Sequence, residues 1–452
     1  MKEKNLLVKN ARIIDPAGGL DESGDILVAG GKIIKTGKDI AAAGATVIEA
    51  SGLIACPGFI DLHCHLRQPG YEDKETIATG AAAAARGGFT TVCCMPNTSP
   101  PLDNAATVGH VKDIAAREAP LITILPAGCI TKGRAGRELT DMAELAAAGC
   151  IGFSDDGSPV SSARLMSLAM QYTASLDLPV IDHCEDLDLS RGGHMNDGWV
   201  AARLGLKGIP AAAEDAMVAR DIALCQLTGA RLHVTHISTK GSVELVRDAK
   251  RRGLGVTCDV TPHHLALTHE RVMVAQAGPG TALAYDTNAR VNPPLRSSAD
   301  IDALIQGIKD GTIDAIATDH APHTMGDKLC EFENAASGIS GFETAFGTLM
   351  ALVHTGRIDL NVLIACLTAG PARVLKSAAG TLQPGARADI ALLDTGREWT
   401  VDVKDFLSKG RNTPFDGCKL KGMVVATISG GRFAYSHSRK IYNIKPVNEC
   451  LG

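Results

Sequence analysis

The run DLHCHLR, residues 61–67, sets His63 and His65 two positions apart. On a β-strand, residues i and i+2 point to one face, so both imidazoles can address one ion. A His-x-His pair is a weak signal by itself, because half-exposed strand histidines are common. Here it is the first of a series. IGFSDDG closes on Asp155 and Asp156, VIDHCE on His183 and RLHVTHIS on His236, and AIATDHAPH supplies Asp319 and His323. Each residue alone reads more naturally as a hydrogen-bonded structural group. Repetition at the ends of successive aliphatic runs is what turns the reading toward a metal site. His63, His65, His183 and His236, with one of Asp155 and Asp156 and with Asp319, form a mixed nitrogen and oxygen donor set that suits zinc and is large enough for two ions. A bound ion lowers the pKa of its water from 15.7 to about 7, which supplies a nucleophile at neutral pH. Asp319 can bind metal and then carry the proton to a leaving nitrogen.

Other residues of the same types fall outside this set. His233 lies three positions from His236, should face the other side of its strand, and is read as structural. His320, beside Asp319, should point outward, and alternation turns Cys64 away from its histidine neighbours. His263 and His264, in VTPHHL, are read as pocket-shaping or plainly structural. Asp155 and Asp156 are adjacent, so only one can face the site cleanly, and the run alone does not say which.

The elements that must carry these residues can be read from texture. Residues 1–55 look all-β: LLVKNARII, DILVAGGKIIKTG and ATVIEASG are short strands between Gly, Asp and Pro turns. From 56 to 378, aliphatic runs alternate with Ala-rich helical stretches, and eight strands are expected between residues 59 and 319. Alternating β and α at this pitch implies a parallel sheet, and eight units suggest closure into a (β/α)₈ barrel. In such barrels the site lies at the C-terminal strand ends, where these ligands fall. Residues 379–452 revert to β texture in GTLQPGARADIALLD, GMVVATISGGRFAYSH and IYNIKPV. The expected fold is therefore an α/β barrel with a small flanking β-sandwich built from both chain ends.

Composition agrees and excludes some classes. The chain has 452 residues, room for a barrel of about 250 plus a smaller unit. Aromatics are only 4%, so the core must be Ala, Val, Ile and Leu, as in helices around a parallel sheet. The net charge of −5 shows no nucleic-acid footprint. No long uncharged apolar run suggests a membrane span, and the N-terminus lacks a signal-peptide core and alternates like a strand. The 13 cysteines, an odd number scattered through strands and helices, read as reduced thiols of a cytoplasmic protein.

At these residues the sequence resembles the bacterial dihydroorotase family of the amidohydrolase superfamily. The run PGFIDLHCHLRQPGYEDKETIATGAAAAARGGFTTVCCMPNTSPPLD carries the resemblance, and GFSDDG, DHCED, HVTHIS, ARVNPPLR, ATDHAPH and GISGFET follow in the family's order. The resemblance covers essentially the whole chain. It implies reversible cyclisation of N-carbamoyl-L-aspartate to (S)-dihydroorotate, a step of pyrimidine biosynthesis. It implies that His63 and His65 hold one zinc and His183 and His236 a second. Many relatives bridge the ions with a carboxylated lysine. Here the GF run continues SDDG, as in an aspartate-bridged branch, and spacing to DHCED points to Asp156. Asp319 is implied as both ligand and acid/base. Around the substrate carboxylate and ring the resemblance places His65, Arg67, Asn97, Asn292, His323, Ser337 and Gly338. A guanidinium such as Arg67 can grip a carboxylate with two parallel bonds. The resemblance further implies a small-molecule substrate, a homodimer, and association with aspartate transcarbamoylase in some relatives.

Two other readings compete. Hydantoinases and allantoinases share the barrel and metal pair, but usually carry the bridging lysine and lack HxHxR with MPNT. Some chains of this type have lost their ligands and serve only as scaffolds for aspartate transcarbamoylase, whereas this one retains every ligand position.

Overall fold

The structure is a computed structural model that describes residues 5–274 and 284–437. The β-like run IYNIKPV lies outside the described residues. Five strands come first: β1 (Leu6–Asp15), β2 (Leu20–Ala29), β3 (Lys32–Gly37), β4 (Thr46–Glu49) and β5 (Ile54–Pro57). The central strands follow: β6 (Phe59–Cys64), β7 (Phe89–Cys94), β8 (Thr123–Pro126), β9 (Pro179–Asp182), β10 (Arg231–Val234), β11 (Val256–Val260) and β12 (Ala315–Ile316). The last are β13 (Ile390–Thr400), β14 (Lys419–Ser429) and β15 (Arg432–Ser436).

The central strands are short and almost wholly buried, as strands covered on both faces must be. Strands β6, β7 and β8 pair in parallel, as do β9, β10, β11 and β12. Single bridges join the two groups. Phe153 bridges Gly128 on one side and Val180 on the other, and His320 bridges Cys64. Parallel bonding therefore passes through eight segments and returns to β6. The strand expected over IGFSDD shrinks to these bridges at Phe153. Its next residues leave the ladder, with Asp155 bonding the Ile130–Thr131 backbone.

Helices connect most of these strands, and local signals fix their ends. Helix α1 (Ile77–Arg86) starts at Thr76, whose hydroxyl accepts from Thr79 N in a capping box, and stops at Gly87–Gly88. Gly88 has φ +95 and lies against Phe59, so a side chain there would be strained and crowded. The largest core is aliphatic, with Phe59, Phe89, Phe342 and Phe346 packed together in it.

The chain ends meet as expected, but not as two layers. Strands β1–β5 and β13–β15 form one eight-stranded sheet, because β5 pairs with both β1 and β13. Its β3 edge also bonds residues 385–388, through Ile33 N to Ala386 O and Ala388 N to Gly31 O. The sheet thus curls around its own core of Ile13, Ile26, Ile48, Ile390 and Val425, where a sandwich was expected. Among the described residues no helix is long and apolar enough to cross a membrane. The twelve described cysteines form no disulfide.

Candidate active site

Six side chains converge where the central strands end: His63, His65, Asp156, His183, His236 and Asp319, all buried. Asp156 sits among the four histidines. Its Oδ1 lies 3.4 Å from His63 Nε2, 3.7 Å from His236 Nε2 and 3.9 Å from His183 Nδ1. Its Oδ2 lies 3.6 Å from His65 Nε2. Asp319 Oδ1 is 3.1 Å from His65 Nε2 and 3.7 Å from His63 Nε2. Two ligand-like groups result, His63 with His65 and Asp319, and His63 with Asp156 and His236. His183 Nδ1 approaches the second at 3.0 Å from His236 Nε2.

The two adjacent aspartates face opposite ways. Asp155 turns away and accepts from Ile130 N at 2.9 Å, Thr131 N at 3.1 Å and the Thr131 hydroxyl. Asp156 alone faces the histidines.

Three of the imidazoles, those of His63, His65 and His183, are oriented by a group behind them. His63 Nδ1 meets Thr235 Oγ1 at 2.7 Å, and that hydroxyl donates to Asp259 at 3.2 Å. The hydroxyl's one proton therefore goes to Asp259 and His63 Nδ1 donates to Thr235, which leaves Nε2 as the ring atom turned to the site. His65 Nδ1 meets Asn97 Oδ1 at 2.9 Å, and His183 Nε2 meets Glu185 Oε2 at 3.0 Å. Three of the non-glycine residues with positive φ lie at the site. His236 and Asp319 adopt φ of 39° and 47°, and Arg67 adopts 62°. Such conformations cost about 1–3 kcal/mol each and persist only where the surroundings over-determine them. Asp319 is held by His63 O accepting from its N–H at 3.0 Å, and His236 by Asp259 accepting from its N–H at 2.6 Å.

The donor set fits cations. His63 Nε2 is buried without a hydrogen-bond partner among the described residues, though two carboxylates face it. Burial opposes a charge on His63, but Asp156, Asp319 and Asp259 together outweigh it and its pKa is pushed up to about 9. Burial likewise opposes ionisation of Asp156 and Asp319. The histidines prevail, and both carboxyls lie well below the usual range. The site thus needs positive charge between its carboxylates, which a metal supplies. A third acidic group, Asp182, Cys184 and Asp221, has its cation already, with Arg220 NH2 at 2.7 Å from Asp221.

The residues expected around the substrate divide. Arg67 borders the site, with Nε donating to Pro322 O at 3.2 Å and no carboxylate within ion-pair distance among the described residues. His323 Nε2 lies 2.9 Å from Ser337 O and 3.3 Å from an Arg67 guanidinium nitrogen. Burial first, and the nearby Arg67 second, lower its pKa to about 3, and its buried Nδ1 lies 3.8 Å from Asp327 Oδ2. Asn97 and Asn292 turn toward the histidine cluster. The Asn97 amide serves His65, and Asn292 Nδ2 donates to Glu185 at 2.9 Å. Gly338 commits both backbone groups internally, its N–H to Arg290 O at 2.9 Å and its carbonyl to Asn412 Nδ2 at 3.0 Å. A Cβ at Gly338 would lie 2.5 Å from Ala321 Cβ, so the position acts through space.

Sequence reasoning missed Thr235, Asp259, Glu185 and Asn412. Asp259, an acid within the aliphatic strand CDV, was the one visible signal. Of the histidines set aside, three bond groups outside the cluster, while His263 keeps a buried Nε2 without a partner among the described residues and feels the charges of Asp319 and His236. His233 bonds Thr257 and Asp259, His264 bonds Thr261 and Pro293 O, and His320 bonds Glu75 and stacks on Phe342.

L-Hydantoinase (dihydropyrimidinase) from Arthrobacter aurescens superposes with a TM-score of 0.82 at 25% identity, covering 95% of this chain and 96% of that one. Dihydropyrimidinase from Brevibacillus agri superposes with a TM-score of 0.81 at 23% identity, covering 95% and 94%, a likeness of fold. A fold held in common over nearly the whole chain, ending in a buried histidine–carboxylate cluster, defines a cyclic amidohydrolase. A family profile described as Dihydro-orotase-like matches residues 52–242. A dihydroorotase from Caldanaerobacter subterraneus subsp. tengcongensis is 49% identical over 441 residues, 97% of this chain and 99% of that protein. One from Pelotomaculum thermopropionicum is 50% identical over 428 residues, 94% and 97% respectively. The chain belongs to the dihydroorotase family.

Proposed function

We propose that the chain interconverts N-carbamoyl-L-aspartate and (S)-dihydroorotate on a two-zinc site at the mouth of a (β/α)₈ barrel spanning residues 56–378. The observation that carries this is Asp156 lying among four buried histidines, beside an Arg67 guanidinium that no carboxylate among the described residues pairs. His63, His65 and Asp319 would hold one ion, His183 and His236 the other, with Asp156 between them as the aspartate bridge. When bound, the ions supply Lewis-acid polarisation of a carbonyl and a water acidic enough to react at neutral pH.

The chain's own residues do the rest. Arg67 grips the substrate carboxylate and so sets the ring amide against the histidine cluster. His323, against the Arg67 guanidinium, would sit beside that carboxylate. Asn97 and Asn292 act through His65 and His183. Ser337 and Gly338 wall the ring space. In hydrolysis Asp319 takes a proton from the attacking water and delivers it to the departing ring nitrogen, and in synthesis the transfer reverses.

Arg67→Lys should raise KM for dihydroorotate by about 10- to 100-fold, since a point charge replaces a bidentate fork. Hydantoin, which lacks the carboxylate, should be unaffected as a weak substrate or non-substrate. The test is a panel of dihydroorotate, hydantoin and allantoin on the zinc-loaded protein. Turnover confined to dihydroorotate is expected. Preference for hydantoin or allantoin would keep the site but overturn the substrate.

A further inference from the structure

Lys328 is buried, yet no carboxylate lies within ion-pair distance of it among the described residues. Its Nζ donates instead to three backbone carbonyls, Thr287 O at 3.1 Å, Arg290 O at 3.4 Å and Ala336 O at 2.6 Å. An ammonium has three N–H groups, so donors and acceptors match. The carbonyls belong to two segments far apart in sequence. Residues 287–292 end in Asn292, which bonds Glu185 behind His183. Residues 324–338 end in Ser337 and Gly338, and His323 just before them bonds Ser337 O. The same segments are joined by the Thr287 hydroxyl donating to Lys328 O at 2.7 Å and by Gly338 N donating to Arg290 O at 2.9 Å. A buried charge usually has a counter-ion. One held by carbonyls alone, at a junction of two site-lining segments, fits a fastening role.

We propose that Lys328 is a positioning residue for substrate binding, its ammonium pinning the segment that carries Asn292 to the segment that carries Ser337 and Gly338. The inference rests on the proposed role of those segments around dihydroorotate. It has a pH consequence. Burial first, and Arg290 second, lower the Lys328 pKa to about 7, while Asp286, Asp327 and Cys330 face it and oppose that shift. Below that pH three N–H groups serve three carbonyls. Above it the neutral amine has two, and one carbonyl loses its donor. The fastening therefore loosens as pH rises.

The test is steady-state hydrolysis of dihydroorotate by the zinc-loaded wild type, Lys328→Met and Lys328→Arg across neutral pH, with thermal unfolding and amide exchange alongside. Lys328→Met should raise KM about tenfold with kcat little changed, the pattern of lost uniform binding. Wild-type KM should climb as pH passes through about 7, and Lys328→Arg, charged throughout, should flatten that climb. A folded Lys328→Met with wild-type KM would overturn the proposal, since a purely structural lysine would change stability alone. If the Met variant does not fold, a wild-type KM flat across neutral pH overturns it. If the wild type does not act on dihydroorotate, the functional reading fails instead. Amide exchange in residues 284–292 and 331–338 then decides the pinning, with unchanged exchange in Lys328→Met against it.

Discussion

Asp319→Asn should lower kcat for dihydroorotate hydrolysis by about 10²- to 10⁴-fold, the usual contribution of a positioned acid–base group. The substitution is chosen for the backbone. Asp319 sits at φ 47°, and asparagine tolerates that left-handed conformation better than most residues. The bond from its N–H to His63 O needs no side chain. What is lost is a carboxylate able to take a proton and return it, together with the anion facing His65 at 3.1 Å and His63 at 3.7 Å. Thermal unfolding should stay near the wild-type midpoint while turnover falls. A folded Asp319→Asn with near-normal kcat would remove Asp319 from the chemistry.

Asp156→Ala should cost both metal and activity, whereas Asp155→Ala should cost stability. Asp156 has all four site histidines within 3.9 Å, so its loss leaves four imidazoles without the carboxylate between them. Elemental analysis should find less than the wild-type zinc content, and kcat/KM should fall by about 10³-fold or more, well beyond the 10- to 100-fold typical of losing an outer-shell partner. Asp155 instead ties down Ile130 and Thr131 through three hydrogen bonds. Breaking charge-assisted bonds of that kind costs about 1.5–3 kcal/mol each at most, and zinc content should hold. The reverse pattern, metal lost with Asp155 and kept with Asp156, would reverse the assignment.

The ligand set was legible because it follows two periodicities at once. His63 and His65 obey the strand period, and the ends of the aliphatic runs mark where a parallel architecture gathers side chains. The Asp155/Asp156 choice was not legible from alternation, because GFSDD keeps the ladder only at Phe153 and then bends. What orients Asp155 is a loop some 25 residues earlier. The supporting groups were harder still. Thr235 is 172 residues from His63, and Asn292 is 107 residues from the Glu185 it bonds. No local pattern encodes such pairs. Asn97 and Asn292 were recognisable as polar groups near the site, but residue type does not say whether an amide faces substrate or a histidine. For the terminal strands, alternation revealed each strand and left open that β5 would pair with both β1 and β13.

The most direct test of the central claim is the rate of dihydroorotate hydrolysis before chelation, after it, and after zinc is restored. The account predicts that activity disappears with the metal and returns with zinc, in proportion to the zinc bound. Activity indifferent to metal content would contradict it, because the cluster around Asp156 would then have no part in the reaction.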